Sequence, residues 1–100
     1  MINHIVMMTM KPEAEGAPGE RNMIKLKAML EALPAKIDLI KFYEVGLNFS
    51  KSPAAMDIAL VSHFESAETL DAYRSHPAHV EVLEFIKKTV AQTAVVDYEF

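Results

Sequence analysis

The feature that most restricts how this chain can fold is a set of strands with apolar side chains on both faces. In residues 2–10, Ile2, His4, Val6, Met8 and Met10 fall on one side of a strand, and Asn3, Ile5, Met7 and Thr9 on the other. Successive side chains of a strand point to opposite faces, so apolar groups on both sides call for burial on both sides. Residues 39–47 repeat the pattern, with Leu39, Lys41, Tyr43 and Val45 opposed to Ile40, Phe42 and Glu44. Residues 56–64 do so again, with Met56, Ile58, Leu60 and Phe64 opposed to Ala59, Val61 and His63. A final strand covers Ala94–Phe100.

Between the strands the apolar period lengthens to that of a helix. From about Glu20, Met23, Leu26, Met29, Leu30 and Leu33 recur at three- and four-residue steps, and Pro34 ends the run. Lys25, Lys27 and Glu31 take the wet side. Ser66 is a good N-cap with Glu68 in the following turn. The helix it starts carries Leu70 and Tyr73 inward and meets Pro77, which suits the first turn of a new helical segment. That segment runs to about Ala91, with Val80, Leu83, Phe85, Ile86 and Val90 as its buried side. Pro12, Gly16, Pro18 and Gly19 make residues 11–19 a loop, and residues 48–55 form another.

The order is βαββαβ within one domain spanning residues 1–100. It predicts an α+β, ferredoxin-like fold: an antiparallel sheet with its helices on one face. In such a fold the second sheet face is open and should be polar in a monomer. Whichever set faces the helices, the other keeps residues such as Ile5, Met7, Tyr43, Val45, Ala59, Val61 and Val95, or their alternating neighbours. Several hundred Å² of such surface, at roughly 25 cal/mol per Å², gives on the order of 10 kcal/mol of association drive before entropy costs. A homodimer closed through the sheets is the expected partner arrangement. The chain's 51% hydrophobic content fits that demand.

Composition removes several function classes. With no cysteine there is neither a disulfide nor a thiolate metal site. The net charge is −4, and the ten Lys and Arg are scattered, adjacent only at Lys87-Lys88. A nucleic-acid or anionic-membrane footprint needs a basic face, so neither partner is expected. The start of the chain has no basic n-region or small-residue cleavage site, and no apolar run approaches the roughly 20 residues of a bilayer span. The expectation is a soluble cytoplasmic protein.

Particular segments go further. His4-Ile5-Val6, Glu44-Val45-Gly46-Leu47-Asn48, Asp57-Ile58-Ala59-Leu60-Val61, Phe64-Glu65-Ser66, Tyr73-Arg74-Ser75-His76-Pro77-Ala78-His79 and Val96-Asp97-Tyr98 are similar to the stress-responsive dimeric α/β-barrel (Dabb) family, over essentially the whole length. The Tyr, two residues, His-Pro-x-His block is the most specific of them. The resemblance implies a homodimer whose sheets associate into an α/β barrel. It also implies a stress-response protein that binds a small apolar ligand in the barrel cavity. A plant polyketide cyclase of the family closes a ring by aldol chemistry without a cofactor. Its catalytic Tyr and His match Tyr73 and His79, and a further pocket His matches His4. The alternative expectation is therefore a cofactor-independent acid–base enzyme acting on a carbonyl ligand.

The residues themselves allow this chemistry without requiring it. A neutral His is a general base near pH 7, and a Tyr can donate a hydrogen bond to a developing enolate. Pro77 interrupts the helix and frees His79 to turn toward a space between helix and sheet. His4 and His63 line the same space if both face inward. The structural alternatives are a core Tyr73 with a satisfied hydroxyl, a structural His79, a His4 paired with a buried polar neighbour, a capping His76, and an Asp97 that pins the last strand. Two histidines three apart plus Asp57 or Glu81 would make a metal site on paper. There is no HExxH spacing, Gly-rich phosphate loop or nucleophile elbow, and no cofactor is implied.

Overall fold

The computed structural model describes all residues from Met1 to Phe100. Its elements are β1 (Ile2–Met10), β2 (Glu13–Ala14), β3 (Ala17–Pro18), α1 (Gly19–Glu31), a 3-10 turn at Leu33–Ala35, β4 (Phe42–Leu47), β5 (Ile58–Phe64), α2 (Ala67–Ser75), α3 (Pro77–Thr89) and β6 (Val90–Glu99). Four strands form one antiparallel sheet in the order β4-β5-β1-β6. This is the ferredoxin-like α+β fold, with the second helical region divided in two at His76-Pro77 and the helices packed on one face.

The pairing register decides which apolar set faces the helices. Val6 lies opposite Leu60 on one side and Val95 on the other, while Ile5 lies between Val61 and Val96. Even-numbered residues of β1 and β5 therefore point into the core, with Met8, Met10, Ile58, Leu60 and Phe64 buried there against Leu26, Leu30, Leu33, Ile37, Leu70, Tyr73 and Val82. Odd-numbered residues of β4 and β6 join that side, so Tyr43, Val45 and Val95 belong to the helix side. The open face carries Ile5, Met7, Ala59 and Val61 with Phe42, Glu44, Val96, Tyr98 and Phe100. Val96 and Phe100 are 55% and 59% exposed in the single chain.

Element ends moved where local packing outweighed pattern. Residues 39–41 do not extend β4: Leu39 and Ile40 pack against the core from a turn, with Ile40 N–H donating to the Ile37 carbonyl. The last strand begins at Val90 rather than Ala94, because β1 is long enough to pair with it as far as Met10, across a register shift at Thr9 and Met10. In α3 the buried positions are Val82 and Thr89, and Val80 faces outward.

The loop expected at 11–19 holds a two-residue hairpin, β2 and β3. Its turn residues Glu15 and Gly16 both have positive φ, 52° and 72°, the signature of a tight hairpin turn. Buried Asn22 on α1 fastens this hairpin by donating to the Ala14 carbonyl at 2.9 Å. Ser66 caps α2 as expected, accepting from Thr69 N–H while Thr69 Oγ1 accepts from Ser66 N–H.

Gly19, at the start of α1, donates its N–H to the Pro12 carbonyl at 2.8 Å. A Cβ there would stand 2.5 Å from the Lys11 carbonyl oxygen, which is backbone and cannot swing aside. Gly19→Ala is expected to lower stability by about 1–3 kcal/mol, through displacement of the β3–α1 junction. Urea unfolding checks this, and an unchanged midpoint would show that the junction shifts freely.

Candidate functional site

Between α2, α3 and the β1–β6 half of the sheet lies a cleft of about 340 Å³. Its walls are mainly aliphatic: Val6, Met8, Leu30, Leu60, Leu83, Ile86 and Val95. Its polar lining is His4, Tyr73, Arg74, His79 and Thr93. The cleft exists because the helices leave the β6 side of the sheet partly uncovered; Val95, on the helix side, is still 51% exposed.

The break at Pro77 builds the helical half of the site. Proline has no N–H and its ring blocks continuation of the preceding helix. His76 caps the new helix, its Nδ1 accepting from Ala78 N–H at 3.1 Å. Ala78 N–H is thus diverted from the Arg74 carbonyl, its partner in a continuous helix. That orphaned carbonyl accepts instead from His79 Nδ1 at 3.0 Å. A carbonyl oxygen can only accept, so His79 Nδ1 carries the proton and Nε2 of the neutral ring carries the lone pair.

The sheet half rests on the β1–β6 register. His4 lies opposite Asp97, and His4 Nδ1 donates to Asp97 Oδ1. Asp97 Oδ2 accepts from Arg74 Nη2 at 2.8 Å, and Arg74 Nη1 donates to Asp71 at 3.0 Å. Arg74 thus links both halves, through its side chain to the Asp97–His4 pair and through its carbonyl to His79. The sequence reading assigned Asp97 only to strand pinning and gave Arg74 no part. A charged residue facing a strand histidine across a register pair was the available signal, but it required the register.

Tyr73 takes a deeper place than a surface catalytic group would. It is 0% exposed, its ring lies 4.3 Å from that of His79, and its hydroxyl bonds that of Tyr43 at 2.8 Å. Phe64 and His4 flank it. Burial pushes both tyrosines above their ordinary range. The two hydroxyls share one hydrogen bond, in which either can donate. In this conformation Tyr73 is the floor of the cleft, covered by His79.

Of the four histidines, the structure brings His4 and His79 to the cleft with Tyr73. His76 is the α3 cap. His63 is on the opposite sheet face, stacked on Phe42 at 4.7 Å and packed at a tilt against Phe100 at 4.9 Å. Parity forbids it from sharing a space with His4: β1 and β5 pair His4 with Ser62 and Asn3 with His63. Asp57 lies away from both histidines, accepting from Met10 N–H at 2.7 Å. No group of three or more His, Asp or Glu side chains comes together, and no helix is long and apolar enough to cross a membrane.

A model of the stress responsive A/B barrel domain family matches residues 2–100. The chain belongs to this family. An uncharacterized protein of Streptomyces coelicolor is 31% identical over the full length of both chains. A dimeric protein of unknown function with a ferredoxin-like fold, from Bacteroides fragilis, superposes with a TM-score of 0.83. It is 36% identical, and the match covers 99% of this chain and 95% of that one. The hydroxynitrile lyase of Passiflora edulis superposes with a TM-score of 0.80 at 19% identity, covering 97% and 90% of the two chains. At that identity the likeness shows the A/B barrel domain fold alone.

The His79 environment fixes a pH dependence. Burial lowers its pKa below the ordinary 6.5, and repulsion from His4, Arg74 and His76 adds to this against the opposing bond to the Arg74 carbonyl. The unfolded chain therefore takes up the His79 proton at a higher pH than the folded one. The stability contributed by the neutral ring is present above pH 6.5 and is lost as pH falls from there through the folded pKa. His79→Gln is expected to flatten unfolding free energy between pH 7.5 and 5 relative to wild type. An unchanged pH slope in urea titrations would contradict the assignment.

Proposed function

We propose that this A/B barrel domain works in a stress response as a homodimer joined through the open sheet face, each copy binding a small, largely apolar molecule in its cleft. The observation that carries the ligand reading is the cleft itself: aliphatic walls around a few polar side chains, the usual make-up of a small-molecule site. The dimer reading is supported by the uncovered apolar residues Ile5, Met7, Phe42, Val61, Val96 and Phe100, and by the dimeric Bacteroides fragilis relative. The two features use opposite sides of the sheet, so pairing through the open face leaves the cleft accessible.

A second reading, acid–base chemistry on a bound carbonyl compound, is favoured by the His79 geometry. A neutral imidazole with Nδ1 anchored and Nε2 unpartnered is the form a general base takes. His4, held by Asp97, would be the second group a ligand meets. Tyr73 donates to a ligand carbonyl only if the His79 ring turns off it, so its contribution in the present arrangement is to support His79 from below.

A thermal-shift screen with aromatic and polyketide-like carbonyl compounds tests the binding reading. A cleft ligand at about 100 times its Kd is expected to add about 2.7 kcal/mol of stability. His79→Ala should remove most of that shift while leaving the oligomeric mass unchanged. If no compound stabilises the wild type, or if the shift survives in both His79→Ala and His4→Ala, the cleft is not the ligand site. Turnover of a bound carbonyl compound that vanishes in His79→Ala would establish the second reading.

A further inference from the structure

The protons around the cleft are already placed, and their placement constrains what can bind. Asp97 takes the Nδ1 proton of His4, and the carbonyl of Arg74 takes the Nδ1 proton of His79. The neutral His79 ring then has its lone pair at Nε2. Neither Nε2 has a partner within the chain, and neither is an enclosed polar atom; the one enclosed unpartnered side-chain atom is Asn3 Oδ1, at the β1–β6 pair on the other face. Both histidines line the cleft, so the His79 lone pair is available to its contents.

The other polar groups do not change this balance. The Tyr73 hydroxyl is enclosed and bonded to Tyr43. The Arg74 guanidinium is shared between Asp71 and Asp97, one cation between two carboxylates, and offers little attraction to a third anion. Thr93 supplies a hydroxyl that suits a donor or an acceptor. The cleft thus presents a fixed acceptor at His79 Nε2 and a cation that is already neutralised.

We infer that the cleft selects an uncharged molecule that brings its own hydrogen-bond donor, a phenol or alcohol O–H aimed at His79 Nε2, and discriminates against carboxylates and against ligands with acceptors alone. The inference rests on the reading of the cleft as a ligand site and specifies the ligand's polar end. A ligand without a donor buries an imidazole lone pair unpaired, which is the costly half of a lost hydrogen bond. A carboxylate adds repulsion from the His79 lone pair and from Asp97. The depressed pKa of His79 acts in the same direction, since it keeps that ring neutral at pH 7.

Three probes with one apolar body separate the possibilities: 4-propylphenol, 4-propylanisole and 4-propylbenzoate, titrated calorimetrically into wild-type protein at pH 7.5. The phenol is expected to bind at least about ten-fold more tightly than either of the others. In His79→Leu an apolar group of similar reach replaces the acceptor. The phenol-to-anisole ratio should then fall toward one, and ¹⁵N spectra of the wild type should report a neutral His79 protonated at Nδ1. Equal binding of phenol and anisole, or tighter binding of benzoate, by the wild type would overturn the donor requirement while leaving the cleft a ligand site. Binding of none of the three at millimolar concentration would overturn the inference too, and the broader thermal-shift screen then decides the cleft separately. An Nε2–H tautomer at His79 of the wild type would remove its basis directly.

Discussion

The pleat of the β1 strand is the constraint on which the rest of the molecule depends. β1 lies inside the sheet, paired on both sides, and its alternation divides the protein into two functional halves. His4, Val6 and Met8 are sent toward the helices and the cleft; Asn3, Ile5 and Met7 are sent to the uncovered face. A one-residue slip of either pairing would exchange these sets, placing His4 opposite a neighbour of Asp97 and turning Met8 out to solvent. The register that buries the core is therefore the same register that assembles the His4–Asp97 pair.

The helical half depends on an equally local cause. Without Pro77, α2 and α3 would be one helix, and the Arg74 carbonyl would be consumed by the Ala78 N–H. The proline instead leaves that carbonyl for His79, and His76 satisfies the new helix start. A backbone defect that would ordinarily cost stability is compensated by two imidazoles. Arg74, at the break, touches both halves, so its single position couples the sheet histidine to the helix histidine.

Much of the fold could be read from the sequence because its signals are local and periodic. The alternation in residues 2–10 and 56–64, the three- and four-residue steps of Leu26 and Leu30, and the Ser66 cap all depend on near neighbours. The resemblance of the Tyr73–His79 block pointed to the residues that the cleft gathers. What sequence did not supply was cross-strand information. Asp97 reads as a strand residue until it is known to lie opposite His4, and His63 reads like His4 until parity sends it to the other face. The hairpin at Glu13–Pro18 was missed because two-residue strands carry no periodicity. The burial of Tyr73 beneath His79 was not legible either, since it follows from how the α3 start packs on the α2 end.

The proposed dimer explains why an A/B barrel domain of this size can carry apolar residues on a face its helices never reach. His63 stacks on Phe42 and packs at a tilt against Phe100 there, and Val61 and Val96 flank Ile5 across the strands. Such a surface is stable in water only when covered. Light scattering on the wild-type protein at micromolar concentration tests this most directly. The account predicts a mass twice the 11.2 kDa of one chain. A mass of one chain that persists up to the highest soluble concentration would contradict it.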